Sequence, residues 1–247
     1  MHPDIHIFGQ SLPSYFTMFL LSYIVSVIAA VLRIRTQRMN WKTAGLFIVI
    51  SVLCGMIGAR VLFILYHLDM FAQNPGLLKG VILSGFAFYG ALYGALGGGY
   101  AYSRIAKKDF LYLADNLLFV MPLGHAIRKV GCFLGGCCYG KCTGNALFEA
   151  LGGRHPVQLY EAGANLLIFA VLAVLLVRRA RRGTVLAAYL ISYGAARFVT
   201  DFYRSDVIEV FYGLGVSHFI SMATFIFGVI LLIRIYQNGG KANEQVV

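Results

Sequence analysis

Four basic residues sit in apolar runs long enough to cross a bilayer, and they constrain this chain more than anything else in it. Arg60, Arg128, Lys129 and Arg197 all lie within or at the edge of such runs. A charge at bilayer depth costs about 2.5–3.5 kcal/mol on insertion scales, so it faces a partner or a wet cavity and marks function. Asp115, Glu161 and Asp201 lie in the same kind of run and are the obvious counter-charges. Something anionic, or a polar reaction, is handled inside a membrane.

Composition agrees. At 59% hydrophobic and 13% charged residues, with a mean hydropathy of +0.75, the chain is too apolar for a soluble domain. Seven segments approach the roughly 20 apolar residues that span a bilayer core. They lie near 14–33, 44–67, 83–104, 111–132, 158–177, 184–203 and 214–235. No signal with a small-residue cleavage site is present, so the first span is expected to stay. No linker, charge run or repeat divides the sequence. The expectation is an all-α polytopic membrane protein of about seven helices, with residues 1–247 forming one helical domain.

The net charge of +11 is a matter of topology. Arg33, Arg35, Arg38, Lys42, Arg104, Lys107, Lys108, Arg178, Arg179, Arg181, Arg182, Arg234 and Lys241 follow the odd-numbered spans. The opposite side carries Lys79, Lys141, Arg154 and Arg204. The positive-inside rule then puts the N-terminus outside and the C-terminus in the cytoplasm. The basic excess is not read as a nucleic-acid surface. The stretch 131–144, the segment 153–161, the loop 68–82 and the outer end of the sixth span fall on the extracytoplasmic side.

Helical spacing groups the polar residues. Tyr193, Arg197, Asp201 and Arg204 share one face of the sixth span; Gln158, Glu161 and Asn165 share one on the fifth; His125, Lys129 and Cys132 share one on the fourth. Any single pair, such as Arg197 with Asp201, can be a buried structural ion pair. Three stripes on consecutive helices favour a shared polar cavity.

Gly90, Gly94 and Gly98 have the small-xxx-small spacing of close helix packing. The stretch 131-GCFLGGCCYG-140 is different, because a glycine-rich turn next to Lys129 and Lys141 can present backbone N–H groups to a phosphate. Of the cysteines, Cys54 is read as packing. Cys132, Cys137, Cys138 and Cys142 can hold zinc, form a redox pair or fill a tight loop. Their spacing lacks the paired C-x2-C arms of a zinc ribbon, so no metal ligands are assigned.

The stretches 84-SGFAFYGALYGALGG-98, 122-PLGHAIRKVGCFLGGCCYGK-141, 154-RHPVQLYE-161 and 193-YGAARFVTDFYRSD-206 resemble, in that order, the prolipoprotein diacylglyceryl transferase family. Gly58-Ala59-Arg60 and 213-GLGVSHFISM-222 fit as well, and the likeness runs from about residue 45 to 235. It implies a bacterial cytoplasmic-membrane enzyme, needing no cofactor, that moves diacylglyceryl from phosphatidylglycerol to the lipobox cysteine of an exported prolipoprotein. Arg197, Arg204 and Arg60 would then stabilise the departing glycerol phosphate. A nearby cation or base would favour the thiolate.

Tyr89 stands where the family has a catalytic histidine, and Lys129 where it has an arginine that clamps phosphate bidentately. Arg128, one position earlier, is the alternative clamp, and Cys132 replaces an asparagine. These departures suggest a branch marked by Gly-Cys-Cys-Tyr-Gly. The catalytic candidates are Tyr89, Lys129, Arg197 and Arg204. The substrate-binding candidates are Arg60, Arg128, Gly131, Gly140, His155, Gln158, Glu161, Tyr193 and Asp201. The alternatives are a related transferase with another acceptor, or a non-enzymatic transporter or redox membrane protein. Nothing in the sequence sets an oligomeric state.

Overall fold

The computed structural model describes residues 4–7, 10–74, 76, 86–207 and 209–244. Residues 75 and 77–82 of the expected loop 68–82, Lys79 among them, and residues 83–85 at the start of the third expected span lie outside the described residues. Among the described residues, five helical stretches are long and apolar enough to cross a membrane: Ser14–Thr36, Trp41–Tyr66, Phe110–Leu134, Val157–Val177 and Val216–Gln237. Phe88–Ile105 and Thr184–Asp201 are helical but are not among those five. Apolar side chains such as Leu167 and Val177 stand 71% and 82% exposed on these helices, a surface suited to lipid and not to water.

Contacts divide the chain into two compact units. One comprises residues 34–117. In it, α2 (Trp41–Tyr66) packs on α4 (Phe88–Ile105), with the short α3 (Leu68–Gln73) between them in sequence and α5 (Phe110–Leu117) following. Asn40 caps α2 by accepting the Thr43 N–H at 3.1 Å. At Gly58, Gly90 and Gly94 the α2–α4 interface brings main chain against main chain. A methyl group on Gly58 or Gly90 would collide with the backbone of the other, and one on Gly94 with the Cys54 carbonyl. The expected close approach at Gly90 and Gly94 is thus observed, with α2 supplying the other half.

The second unit comprises residues 1–33 and 118–247. It begins with a hairpin of β1 (Asp4–Ile7) and β2 (Gln10–Pro13), followed by α1, whose helix runs Ser14–Thr36. It continues with α6 (Met121–Leu134), α7 (Val157–Val177), α8 (Thr184–Asp201), the strands β3 (Glu209–Phe211) and β4 (Leu214–Gly215), and α9 (Val216–Glu244). α6 packs on α7, α7 on α8, and α8 on α9. His218, 1% exposed, accepts the Gly215 N–H at 3.1 Å and packs beneath the rings of Phe198 and Phe202.

The fourth expected span, 111–132, is broken. A 3-10 turn at Leu118–Val120 separates α5 from α6, with Pro122 in the first turn of α6. Proline has no N–H to offer the carbonyl four residues back, so a continuous α-helix fails there.

Candidate active site

Glu161 lies in the second turn of α7, 4% exposed, and three cations converge on it. Lys129 from α6 pairs with Oε2. The Nη1 atoms of Arg197 and Arg204 reach Oε1 at 2.7 and 2.8 Å. Arg197 also places Nε 2.9 Å from Oδ1 of Asp201, one turn on along α8, and Arg204 Nε is 3.9 Å from the same oxygen. Arg204 further clasps Asp206, with Nε donating to Oδ1 at 2.8 Å and Nη2 to Oδ2. The result is a chain of alternating charge in which no buried carboxylate lacks a cation.

The expectation that one helical face carries Tyr193, Arg197, Asp201 and Arg204 needs correction. α8 ends at Asp201 with Phe202 as its cap, so Arg204 lies beyond the helix. A ladder of extended backbone positions it instead. Gly140 N–H donates to the His155 carbonyl at 3.0 Å, His155 N–H to Lys141 O at 3.1 Å, and Lys141 N–H to Tyr203 O at 2.7 Å. Gly140 and Arg204 form an antiparallel bridge, as do Cys142 and Arg154. Three segments far apart in sequence are tied beside the N-terminus of α7.

The glycine stretch is bound up in this ladder. The amides of Gly135, Gly136, Cys137, Gly140 and Lys141 already donate to backbone carbonyls, so these N–H groups are not turned toward an outside anion. Gly140 is required by space: an added Cβ would sit 2.6 Å from Tyr203 O, 2.6 Å from Val157 Cγ2 and 2.7 Å from His155 O. At Gly131 the same atom would meet Met18 Cβ at 2.7 Å.

Gln158, 1% exposed, donates from Nε2 to the carbonyl of Cys137 at 2.6 Å and so pins the loop after α6 to α7. Asn165 donates to Glu161 O at 2.8 Å. His155 places Nδ1 3.3 Å from the Tyr160 hydroxyl and is boxed by Phe148 and Tyr203. Tyr193 is buried against His125, with ring centroids 6.0 Å apart. Both line a cavity of about 10 Å³ together with Glu161, Asn165, Arg197 and Thr200, which is room for about one water. Arg128 is half-buried on α6 and takes no part in the Glu161 ion pairs.

Two candidates belong to the unit of residues 34–117. Tyr89 is 4% exposed and stacks on Tyr93, with centroids 6.4 Å apart. The Arg60 guanidinium carbon lies 4.2 Å from the ring centroid of Phe86, a cation–π distance. Asp115 is buried in α5 of that unit and is not a partner in the Glu161 ion pairs.

Sequence reasoning missed Asp206. Burial works against its ionisation, but the hydrogen bond and charge of Arg204 prevail and hold the carboxyl below its usual range. Its place two residues after Arg204, at the end of the 193–206 stretch, was the available signal.

The family model of prolipoprotein diacylglyceryl transferase matches residues 4–234. The chain belongs to this family. Three relatives carry the name phosphatidylglycerol–prolipoprotein diacylglyceryl transferase. The Clostridium tetani protein is 28% identical over 232 residues, covering 90% of this chain and 93% of its own length. The Idiomarina loihiensis protein is 32% identical over 191 residues, covering 72% of this chain and 71% of its own. The Finegoldia magna protein is 28% identical over 242 residues, covering 97% of each. The matched region of this diacylglyceryl transferase family member takes in the whole Glu161 cluster. With its apolar helices, the chain is a multi-pass membrane protein of a transferase family.

Proposed function

We propose that this chain transfers the diacylglyceryl group of phosphatidylglycerol to the lipobox cysteine thiol of an exported prolipoprotein. Lys129, Arg197 and Arg204 converging on Glu161 carry the proposal. In the reaction the cysteine sulfur attacks the glycerol carbon and a thioether C–S bond forms. The C–O bond to phosphate breaks, and its electron pair leaves with glycerol phosphate. That departing anion needs preorganised cations in a site of low dielectric. The guanidinium groups of part-buried Arg197 and buried Arg204 supply them, held in place by Glu161, Asp201 and Asp206.

Lys129 favours the incoming thiolate, and His125, lining the cavity beside Glu161, takes the thiol proton. Arg128 meets the lipid phosphate; Arg60, in the unit of residues 34–117, is a lipid-binding candidate on the family resemblance alone. Tyr193 hydrogen-bonds the lipid, Tyr89 is a further lipid-binding candidate on the family resemblance alone, and Gln158 and His155 hold the walls of the site. Gly131 and Gly140 contribute by letting the backbone close on itself beside these cations. No cofactor is needed.

The proposal places the chain in the bacterial cytoplasmic membrane as one domain of seven spans, with the N-terminus outside. Phe88–Ile105 and Thr184–Asp201 complete the five longer spans. Labelling of Ala180→Cys tests the orientation; reaction from the outside alone would overturn it. The activity is tested by complementing a strain that lacks its own transferase, and by assaying labelled phosphatidylglycerol with a lipobox peptide. Transfer to the peptide thiol is expected. Failure in both settings by well-expressed protein would refute the assignment.

A further inference from the structure

Three of the cysteines come together in a way that the transfer reaction does not use. The Sγ atoms of Cys132, Cys137 and Cys138 all lie within 4.8 Å of one another, and those of Cys137 and Cys138 are 3.7 Å apart. Cys132 is buried in the last turn of α6, Cys137 is half-buried and Cys138 is exposed, so the group opens to one side. Cys142, the fourth thiol of the stretch, is not a member of the group.

Plain packing does not account for this arrangement. Thiols used as small apolar filler are buried, whereas Cys138 is exposed. Its backbone is also held at φ 61°, a left-handed conformation that non-glycine residues rarely adopt. A disulfide between neighbours fits poorly. Adjacent Cα atoms across a trans peptide are about 3.8 Å apart, and disulfides use about 4.4–6.8 Å.

The spacing fits a shared cation. Four ligands at the Zn–S distance of about 2.3 Å in a tetrahedron lie about 3.8 Å apart, close to the observed 3.7 Å. The loop is braced for such a role. Cys137 N–H donates to the Cys132 carbonyl at 3.0 Å, and Gln158 holds the Cys137 carbonyl at 2.6 Å. Three thiolates and a divalent ion leave one net negative charge, and Lys129 and Arg204 both act electrostatically on Cys138 to offset it.

We infer that Cys132, Cys137 and Cys138 form a binding site for one thiophilic d10 cation of the Zn²⁺ class, with a fourth position open to solvent or a further ligand. Bound there, the ion would tie the last turn of α6 to the loop that Gln158 fastens to α7. Soft thiolate ligands select such ions over hard ones.

The site is tested on full-length protein in detergent, reduced with a phosphine and stripped of metal. Cd²⁺ serves as an absorbing stand-in, followed by Zn²⁺ in competition with a coloured chelator. One equivalent per chain is expected, with a thiolate-to-cadmium charge-transfer band. Cys132→Ser and Cys138→Ser should each weaken binding at least about tenfold, while Cys54→Ser and Cys142→Ser keep it. In the unmutated protein, which needs no variant to fold, Zn²⁺ should shield those three thiols from alkylation and leave Cys142 reactive. No band, a band that survives Cys138→Ser, or two of the three thiols found as a disulfide in protein isolated without reductant would overturn the inference. Binding and shielding are read without substrate, so their failure is distinct from failure of the transferase assignment.

Discussion

Arg197 and Arg204 share a single acceptor atom, Oε1 of Glu161, although only Arg197 belongs to α8. Two guanidinium groups on one carboxylate oxygen would repel each other without further anions, and Asp201 and Asp206 take that role, Asp201 at Arg197 and Asp206 at Arg204. Lys129 occupies the other oxygen of Glu161. The cluster is held by every member at once, so removing one exposes the rest.

Glu161→Gln is therefore expected to destabilise the protein by about 3–5 kcal/mol, the usual penalty for breaking a buried ion pair from one side. Thermal unfolding in detergent measures it. A variant as stable as the unmutated protein would show that solvent or lipid already neutralises the three cations.

Arg197→Ala should abolish transfer of labelled phosphatidylglycerol while the protein remains monodisperse. Arg197→Lys should recover only part of the activity, because an ammonium cannot reproduce the guanidinium contacts to Glu161 and Asp201 together. Full rate in the alanine variant would reduce Arg197 to a structural ion-pair member.

Lys129→Ala should lower the rate at least the roughly 10²-fold that follows loss of a positioned electrostatic stabiliser. Tyr89→Phe should retain appreciable activity, because under the proposal His125 takes the thiol proton and the tyrosine only hydrogen-bonds the lipid. The two rates are compared with a lipobox peptide as acceptor. A dead Tyr89→Phe beside a healthy Lys129→Ala would mean that the proton passes through the tyrosine.

Asp206 gives a pH signature. A carboxyl whose folded pKa lies below its unfolded value of about 4 adds stability above that value and loses it as pH falls through the folded one. The clasp on Arg204 is therefore expected to persist at neutral and mildly acidic pH and to release only below the ordinary carboxylate range. Asp206→Asn should flatten that acid limb of the unfolding-temperature profile. An unchanged limb would mean that Asp206 is not coupled to folding.

Cys138 offers a second one. A hydrogen bond from Cys132 opposes the effect of burial and, with Cys137, Lys129 and Arg204, brings the Cys138 thiol down to about 5. In metal-free protein, alkylation of Cys138 is expected to proceed at pH 6, and Cys132→Ser should move its profile up toward the ordinary thiol range. Mass mapping at several pH values measures both.

Much of this arrangement was legible in the sequence, because helical periodicity is local. The burial of Gln158, Glu161 and Asn165 follows from one stripe on α7, and the Arg197–Asp201 pair from i, i+4 spacing on α8. What periodicity could not supply is anything set by the chain after a helix ends. Arg204 reaches Glu161 through a backbone ladder built from residues 140–142, 154–155 and 203–204, and no spacing rule encodes it. The break at Leu118–Val120 was signalled by Pro122, but the apolar run around it concealed the signal.

Gly58 and Gly90 let α2 and α4 touch main chain to main chain. Where they meet without side chains no rotamers are frozen on docking, so that part of the joint forms with little entropic loss. It also cannot slip, because each helix fills the notch in which the other would need to move. The two helices behave as a single thick strut, and an alanine at either glycine would act as a wedge driven along its length.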